Sequence, residues 1–504
     1  MPTLLSRKYD CIVIGSGHAG SCAALSAIDH GCTRVLIIDK CPEAWAGGNG
    51  FFSAGAHRTV HEGLADLLPL VENVPPALAS RIDLEPYTAE QFTNDIMRLS
   101  GGRSDAPLVR TVVEGSRETI KWLRRNIGVP FTLSFNRQAY EVDGRHKFWG
   151  GMALSIRDAG KGLIAAHRAA LERVGVETWF EAPAKELVVQ DGAIAGVVVE
   201  RDGKRECVHA AAVVLAAGGY ESSASLRKLY LGEGWEHACV RGTPYNTGDG
   251  IFMAKAIGAR LAGDWTGTHA TCWDAHANKF TKSGYPLGIM VNRRGLRFVD
   301  EGADFRNFTY AAYGKAILRQ PGGIAFQIFD ARAETWLREE EYGDEVVKIR
   351  GNTIDELVQE LVSHGLENVE AFMRTVAEYN DATRIFAAAC PERKWNPTVK
   401  DGVATHGLSL PKSNWALPLE EAPLFAVTVT CGITFTFGGL AIDPDTASVI
   451  RDEGGKPIPG LYCAGEMVGG LWHDNYPGGS GLTAGAVFGR IAGREAGKRA
   501  RPSD

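Results

Sequence analysis

The chain has 504 residues, 45% of them hydrophobic and 23% charged, with a formal net charge of −6. Because one hydrophobic core stops growing at roughly 250 to 300 residues, this length predicts two or three domains. Acidic and basic residues are mixed along the chain without a basic stripe, which excludes a nucleic-acid-binding protein that relies on such a stripe.

No apolar run approaches the roughly 20 residues that span a bilayer. The first segment, MPTLLSRKYD, leaves no room for a signal peptide before the first strand. We therefore expect no membrane span and a cytoplasmic location. The ten cysteines include no C-x-x-C pair and no zinc-ligand spacing, so we expect reduced thiols and no metal site.

The first predicted elements are a strand, a glycine turn, a helix and a second strand over residues 9–40, which form a βαβ unit. Residues 51–150 carry apolar residues mostly at helical spacing and predict helices and loops packed on the sheet. A helix over residues 162–174 precedes three strands, and the segment AAVVLAAGGY then returns to the main sheet. The turns between the last strands contain Asp191-Gly192 and Asp202-Gly203, a pair typical of hairpins.

The pattern changes after about residue 264 to mixed strands and polar helices without a glycine fingerprint, and it changes back near residue 431. We expect an α/β fold in which a Rossmann-like nucleotide-binding domain, made of residues 1–264 and 431–504, contains an inserted α+β cap or substrate domain, residues 265–430.

The turn after the first strand has the sequence Gly15-x-Gly17-x-x-Gly20, and Asp39 ends the next strand. Gly15 permits a tight turn, Gly17 lets the backbone approach a pyrophosphate, and Gly20 allows close packing of helix on strand. The helix N-terminus then faces the phosphate charge, and Asp39 can accept hydrogen bonds from a ribose. The motif predicts a dinucleotide site, and the alternative is a structural glycine turn.

Two later segments, VVLAAGGY and PGLYCAGE, resemble the second and third FAD contacts of glutathione-reductase-like flavoproteins. With CPEAWAGGNGFFSAGAHR, TGDG, VNRRGLRFVDE and NYPGGSGLTAG, they make the chain similar to the flavoprotein family of fumarate reductases, succinate dehydrogenases and ketosteroid dehydrogenases. This resemblance covers almost the whole chain. Within the family, SGGRSD, DEGADFRNFTYAAYG, GITFTFGG and HDNYPGGSGL are most similar to tricarballylate dehydrogenases.

The resemblance implies a Rossmann-like, glutathione-reductase-like FAD-binding domain, with Glu466 on the ribitol. The residues that it assigns to the cofactor are Gly15, Gly17, His18, Ala19, Gly20, Asp39, Lys40, Gly47, Gly48, Asn49, Ala182, Ala217, Gly218, Asp249, Glu466, Ser480, Gly481 and Leu482. The backbone N–H groups of residues 478–481 are expected at a helix N-terminus, facing the flavin O2 and N1 region.

One site in the sequence indicates whether FAD is attached covalently. Succinate dehydrogenases attach FAD through a histidine just before a glycine turn, and the corresponding positions here are near Asn49 and Gly50. We therefore expect non-covalent FAD.

A flavin moves a hydride, so the protein must supply orientation, charge stabilisation and a proton partner. In fumarate reductases an arginine delivers the proton, and FVDEGADFRN presents Arg306 at nearly the same place. Because an arginine is a poor general acid at neutral pH, it would need a relay through Asp304 or Glu301. The alternative is that Arg306 pairs with a substrate carboxylate or with Asp304.

Two histidines are further candidates for the catalytic site. His269 resembles a fumarate reductase histidine that holds a substrate carboxylate, and His473 follows PGLYCAGE closely enough to lie near the flavin edge. The alternative for either residue is a structural histidine.

The sequence differs from fumarate reductases at two positions that bear on the choice of substrate. Thr434 stands where those enzymes have a substrate-binding histidine, and Tyr476 stands where they have an arginine. Each lost charge-assisted hydrogen bond is worth roughly 1.5 to 3 kcal/mol, which disfavours fumarate and succinate. The segment YPGG resembles ketosteroid dehydrogenases, in which the tyrosine polarises a ketone. Alternatively, Tyr476 packs on the isoalloxazine.

The sequence therefore predicts an FAD-dependent oxidoreductase that acts on a CH–CH group beside a carboxylate or ketone, similar to the desaturation by tricarballylate dehydrogenases. The alternatives are an ene-reductase of the fumarate reductase type or a ketosteroid-dehydrogenase-like enzyme on an unsaturated acid or ketone, and a binding protein with a structural flavin. A small-molecule substrate and an unidentified electron acceptor are the expected partners.

Overall fold

The structure is a computed structural model that describes residues 8–276 and 283–501. Residues 1–7, on which the predicted cytoplasmic location partly depended, lie outside the described residues. None of the helices in the described ranges combines the length and the apolar character that crossing a bilayer requires.

The strands follow in chain order. They are β1 (Lys8–Ile14), β2 (Val35–Ile38), β3 (Ile82–Asp83), β4 (Phe131–Leu133), β5 (Ala139–Val142), β6 (Arg145–Phe148), β7 (Leu154–Ile156), β8 (Glu177–Trp179), β9 (Ala184–Gln190), β10 (Ala193–Arg201), β11 (Lys204–Leu215), β12 (Cys239–Val240), β13 (Leu261–Asp274), β14 (Ile289–Asn292), β15 (Ala325–Phe329), β16 (Ile349–Gly351), β17 (Leu424–Leu440), β18 (Ser448–Ile450) and β19 (Pro457–Cys463).

The α-helices range from one turn to about six turns. They are α1 (His18–Asp29), α2 (Gly48–Phe52), α3 (Leu64–Leu67), α4 (Pro76–Ala79), α5 (Ala89–Leu99), α6 (Ala106–Trp122), α7 (Phe135–Gln138), α8 (Ala159–Arg173), α9 (Ala224–Leu226), α10 (Asp249–Ala256), α11 (Arg306–Leu318), α12 (Ala331–Glu334), α13 (Glu339–Tyr342), α14 (Ile354–Ser363), α15 (Val369–Ala389) and α16 (Ser480–Ala500).

The main sheet contains the predicted βαβ unit. Its strands lie in the order β18-β19-β11-β1-β2-β8, and β1 pairs in parallel with both β2 and β11. The side chains of Cys11, Ile12 and Val13 in β1 are completely buried, as expected for a central parallel strand covered on both faces. The predicted Rossmann-like α/β fold is confirmed.

Two antiparallel strands, β9 and β10, extend this sheet from β11. Their registers pair Ala193 with Gln190 and Arg201 with Lys204. Two residues therefore remain in each turn, Asp191-Gly192 and Asp202-Gly203, as the sequence predicts.

The predicted helical insertion, residues 51–150, also contains strands that the sequence pattern did not indicate. β3, β6 and β5 form a small sheet, and each has only two to four residues. A strand this short has too few residues to show an alternating pattern in the sequence.

The C-terminal helix α16 lies along α1. A Cβ atom on Gly489 would lie 2.6 Å from the Ala19 carbonyl oxygen, and one on Gly493 would lie 2.2 Å from that of Ala23. Because glycines four residues apart share a helix face, this row lets the two backbones approach closely. The nucleotide-binding unit is thus closed by the end of the chain.

The chain divides into two compact units. Among the described residues, unit 1 comprises residues 8–236, 240–268 and 434–501, and unit 2 comprises residues 237–239, 269–276 and 283–433.

Unit 2 has an antiparallel sheet in which β15 lies between β14 and β17. Successive residues of β15 face opposite sides: Phe326 and Ile328 pack with residues of α14 and α15, whereas Ala325 and Phe329 pack with residues of α11. Both faces of the sheet are therefore buried, and the unit has its own α+β core.

Candidate functional site

The turn between β1 and α1 brings three backbone segments together. Gly15 has a φ of +108°, and a Cβ atom there would lie 2.3 Å from the carbonyl oxygen of Ala216, which directly follows β11. A Cβ atom on Gly20 would lie 2.0 Å from the Gly15 carbonyl oxygen. Only glycine fits at these two positions, so the first turn of α1 stays open to a phosphate group.

Asp39 is anchored to this turn. Its Oδ2 accepts hydrogen bonds from the Ser16 amide, at 2.8 Å, and from the Ser16 hydroxyl, at 2.7 Å. The Ala182 amide donates to the Asp39 carbonyl oxygen at 2.9 Å. A carboxylate has about four lone-pair sites, so Asp39 can still accept hydrogen bonds from a ribose.

Lys40 and Asp249 form an ion pair that joins the end of β2 to the start of α10. The Lys40 ammonium also donates to the Thr247 hydroxyl. Both charged groups are partly exposed, so the pair lies at the surface of unit 1.

The His18 imidazole is turned into the interior. Its Nδ1 lies 2.8 Å from His167 Nε2 and its Nε2 lies 3.0 Å from the Leu482 carbonyl oxygen. Burial holds the pKa of His18 well below its usual value, so the ring is neutral. The side chain therefore ties α1 to α8 and α16, and only the backbone of His18 remains for the cofactor.

The second and third predicted FAD contacts meet at one edge of the sheet. β11 and β19 are parallel neighbours, with Leu215 opposite Cys463, so the segments that follow them, with Ala217, Gly218 and Glu466, lie side by side. The Glu466 Oε1 accepts from the Thr436 amide at 2.8 Å.

A fully buried carboxyl, Glu221, lies behind this edge and was missed in the sequence. Its Oε1 accepts from Asn49 Nδ2 at 2.7 Å and from Asn246 Nδ2 at 2.6 Å. Burial raises the pKa of Glu221 and raises that of Glu466 well above its usual value. The available signal was an acidic residue placed directly after the AAGGY segment, at the carboxyl end of a central strand.

Two further glycine turns of the predicted cofactor site lie at the starts of α2 and α16. Gly47 precedes α2 and Gly48 begins it, and the Gly47 carbonyl oxygen lies 3.6 Å from where a Cβ on Gly17 would be. Gly479, with a φ of +83°, caps α16, which begins at Ser480. The N-terminal N–H groups of α16 follow directly, at Ser480 and Gly481.

Tyr476 lies among aromatic side chains. Its ring is 5.0 Å from that of Phe435, at an interplanar angle of 84°, and 5.7 Å from that of Trp472. Phe437 lies 6.3 Å from Tyr476. Thr434 was a candidate from the sequence, but these neighbours were not, although the alternation in TFTF places both phenylalanines on one face of β17.

His473, near the same turn, is half-buried, and burial lowers its pKa. The next residue, Asp474, donates its amide to Asp264 Oδ2 at 2.8 Å and pairs with Arg103 at 2.9 Å.

The other two predicted catalytic residues belong to unit 2. The His269 ring lies 5.1 Å from the ring of Tyr310, which is in α11. Arg306 begins this helix, four residues before Tyr310. Residues four apart share a helix face, so His269 packs on the face of α11 that carries Arg306. Both side chains are largely buried.

The two acidic residues before Arg306 have different partners. Glu301 is completely buried, forms an ion pair with Arg297 and accepts from the Met290 amide at 2.7 Å. Asp304 lies 3.5 Å from Lys400, whose side chain is half-exposed. Asp304 is thus connected to solvent, whereas Glu301 is committed to a buried ion pair.

Exposure supports the fit of unit 1 to FAD. The predicted cofactor contacts that remain half-buried are Gly17, Ala19, Asp39, Lys40, Gly48, Asn49, Ala217, Gly218, Glu466, Gly481 and Leu482. With the glycines that keep the turn open and two helix N-termini for anionic groups, these residues suit a long dinucleotide.

Comparison with known proteins also indicates that this chain binds FAD. The family model described as FAD binding domain matches residues 10–68 and 76–482. A probable fumarate reductase of Shewanella frigidimarina is 30% identical over 502 residues, which cover 98% of this chain and 76% of that protein. A urocanate reductase of Eggerthella lenta is 28% identical, over 98% of this chain and 75% of that protein.

Among solved structures, the open conformation of a flavocytochrome c3 fumarate reductase matches with a TM-score of 0.71 and 28% identity. The match covers 98% of this chain and 79% of that one. The family model spans most of the chain, including residues of both units, and the fumarate reductase covers 98% of it. The chain therefore belongs to the FAD-binding flavoprotein family of fumarate reductases and succinate dehydrogenases, and it is an FAD-dependent oxidoreductase.

Proposed function

We propose that this enzyme interconverts a CH–CH group and a C=C bond beside a carboxylate or ketone. The observation that carries the proposal is the turn of residues 476–480, which joins the Tyr476 side chain to the N-terminus of α16 within the FAD-binding unit. The fumarate reductase and the urocanate reductase, which are named for unsaturated acids, support it.

FAD, when bound, supplies the hydride chemistry. The protein residues that would hold it are those along the β1–α1 turn, the ends of β11 and β19, and the start of α16. We propose that FAD is held non-covalently, since Asn49 uses its amide to bond Glu221 and the Thr434 carbonyl oxygen.

Tyr476 would donate its phenolic hydrogen to the carbonyl or carboxyl oxygen of the substrate. Such a bond stabilises negative charge on that oxygen and so acidifies the adjacent C–H group. His269 would hold a substrate carboxylate, and His473 would lie near the flavin edge.

In the reducing direction, Arg306 would deliver the proton to the substrate carbon next to the one that receives the hydride. An arginine that gives up a proton at neutral pH must be reprotonated in each turnover. Asp304 suits this role better than Glu301, since its pairing with half-exposed Lys400 connects it to solvent. The Glu301 carboxylate is already neutralised by Arg297 in the interior.

The activity has two candidate directions. Desaturation of a saturated acid, as in tricarballylate dehydrogenases, and reduction of an unsaturated acid or ketone use the same residues in opposite senses. The direction depends on the flavin potential and on the electron acceptor or donor, which we expect to be a protein, a quinone, a soluble carrier or oxygen.

Anaerobic spectral titration of the holoenzyme tests the proposal. Oxidised enzyme is mixed with tricarballylate, succinate and saturated ketosteroids, and bleaching of the flavin would indicate desaturation. Dithionite-reduced enzyme is mixed with unsaturated acids and enones, and recovery of the oxidised spectrum would indicate ene reduction. A flavin that changes redox state with none of them would contradict the proposed function.

A further inference from the structure

Two carboxyl groups meet among the predicted cofactor residues of unit 1. The side chains of Glu221 and Glu466 are hydrogen-bonded to each other. Because two carboxylates can only accept hydrogen bonds, one of the two groups must carry a proton. The contact therefore defines a carboxyl pair that holds a proton in the interior of the unit.

The two members of the pair differ in their access to the cofactor. Glu221 is completely buried, whereas Glu466 is half-buried and follows the carboxyl end of β19, in the segment that is expected to contact FAD. A Cβ atom on Gly219 would lie 2.1 Å from Glu466 Oε1, so a glycine is needed for this carboxyl to approach the end of β11. Glu466 is thus the outer carboxyl and Glu221 the inner one.

The neighbouring donors favour a negative charge on the inner carboxyl. Glu221 Oε1 accepts from two carboxamides, Asn49 Nδ2 at 2.7 Å and Asn246 Nδ2 at 2.6 Å. Its Oε2 is buried and has no amide or hydroxyl donor, so this atom can accept the proton of Glu466. Glu466 Oε1 accepts from the Thr436 amide at 2.8 Å and lies 3.2 Å from the Thr436 hydroxyl, which can also act as an acceptor. Glu221 therefore has the more permanent set of donors.

No cation neutralises a second charge. Among the residues that the structure describes, neither carboxyl forms an ion pair with a lysine or an arginine. Arg227 reaches the Glu221 backbone, and its Nη1 donates to that carbonyl oxygen rather than to the carboxyl. Burial raises the pKa of Glu221, and burial together with the Glu221 charge raises that of Glu466 well above its usual value. The pair therefore carries one negative charge instead of two.

The geometry assigns a role to the inner carboxyl. We infer that Glu221 and Glu466 share one proton, which resides on Glu466, and that Glu221 carries the negative charge of the pair. Glu221 is thus a positioning residue, because it holds Glu466 as a neutral group toward the cofactor and keeps the charge farther away. A fixed negative charge beside a flavin disfavours the arrival of electrons. This role goes beyond the proposed function and is independent of the substrate and of the direction of the reaction.

Infrared spectroscopy of the holoenzyme detects the shared proton, because a carboxylic acid and a carboxylate have different C=O stretching bands. Isotope-labelled glutamate separates these bands from those of the flavin carbonyls. We expect a glutamic-acid band at neutral pH that both Glu466→Gln and Glu221→Gln remove. The first substitution removes the protonated group. In the second, the new amide donates to Glu466, which then accepts several hydrogen bonds without a neighbouring carboxylate and ionises.

The midpoint potential of the flavin separates positioning from packing. Glu221→Gln should make the potential more negative by at least about 30 mV, a tenfold change in the equilibrium constant of two-electron reduction, because the negative charge moves onto Glu466. Glu466→Gln keeps a neutral group beside the charged Glu221, so its shift should be smaller. Glu233→Gln, at an exposed glutamate of unit 1, is the matched control and should keep both the band and the potential of wild type.

Other results would contradict the shared proton. A glutamic-acid band that persists in Glu466→Gln would place the proton on Glu221, and one that persists in Glu221→Gln would show that burial alone protonates Glu466. An unchanged potential in Glu221→Gln would remove Glu221 as a positioning residue. If Glu221→Gln does not fold, the band in Glu466→Gln still decides where the proton resides. Neither measurement uses a substrate, so a failure of the proposed function leaves this test intact.

Discussion

The Arg58 guanidinium donates from Nε to the Gly478 carbonyl oxygen at 3.0 Å, across 420 residues of sequence. The Arg58 amide also donates to the Gly479 carbonyl oxygen at 3.1 Å. The guanidinium is completely buried and pairs with Asp95 at 3.1 Å. Arg58 therefore fixes the turn that carries Tyr476 and caps α16.

Replacing Arg58 by methionine should destabilise unit 1 by about 3 to 5 kcal/mol, since removing one partner of a buried ion pair leaves the other without compensation. Flavin should also be lost more readily, because the turn of residues 476–480 loses its anchor. Chemical unfolding and the flavin-to-protein ratio measure the two effects. Arg145→Met, in the exposed pair with Asp83, should change neither, and an equal effect of both substitutions would contradict the assigned role.

Acid should destabilise the protein through buried histidines. Burial lowers the pKa of His57 from 6.5 to about 4. Between these values the unfolded chain binds a proton that the folded chain does not, so the free energy of unfolding falls as the pH falls from 6.5 to 4. From pH 6.5 to 5 the loss should be about 1.5 kcal/mol.

The His57→Gln variant tests this contribution. It removes the titrating ring and keeps a side-chain donor for the Gly55 carbonyl oxygen, which lies 3.0 Å from His57 Nδ1. Unfolding curves at pH 7 and pH 5 should differ less for the variant than for wild type. His406→Gln, at an exposed histidine, is the control, and an unchanged pH dependence in His57→Gln would refute the assignment.

Gly20→Ala should weaken flavin binding. The added Cβ would lie 2.0 Å from the Gly15 carbonyl oxygen, so helix and strand must separate and the phosphate turn is lost. We expect FAD affinity, measured by titrating the apoprotein, to fall at least about tenfold. Gly485→Ala is the control: the nearest atom to a Cβ at Gly485 lies at 3.6 Å, so this helix glycine should tolerate the change. Normal FAD binding by Gly20→Ala would show that the turn is not the cofactor site.

Arg306→Lys should lower kcat by about 10² to 10⁴ with little change in KM if Arg306 delivers the proton. If Arg306 only holds a carboxylate, KM should rise instead. Steady-state kinetics with the substrate found in the spectral titration separates the two. Arg319→Lys, just after the other end of α11, is the control. Unchanged kcat and KM would remove Arg306 from the catalytic site.

Acid precipitation should release the flavin. The Asn49 side chain is an amide held by Glu221 and by the Thr434 carbonyl oxygen, and an amide provides no nucleophile for a covalent bond to FAD. We expect a yellow supernatant and a colourless pellet after precipitation with trichloroacetic acid. Flavin fluorescence that remains with the denatured protein would show that the attachment is covalent.

The predicted site residues that one motif groups together are close in the chain or lie at strand ends. The contact between Gly20 and Gly15 spans five residues, and Asp39 reaches Ser16 across a single βαβ unit. Such geometry is set by local backbone conformation and strand pairing, so a motif can encode it.

Other parts of the site were not predictable in this way. His18 lies in the motif, yet its side chain bonds His167 rather than facing a ligand. Glu221 gains its role from two asparagines, Asn49 and Asn246, on separate elements. No spacing rule connects residues that meet only after the sheet has formed.

By itself, then, the sequence determined the dinucleotide turn and the first βαβ unit, because both depend on short-range spacing, and it indicated FAD by resemblance. Only the tertiary structure decided that buried Arg58 binds the Gly478 carbonyl oxygen and that the Phe435 ring packs against the Tyr476 ring. Packing selects such partners by shape and charge after distant segments come together. Their separation along the chain does not indicate which residues will make contact.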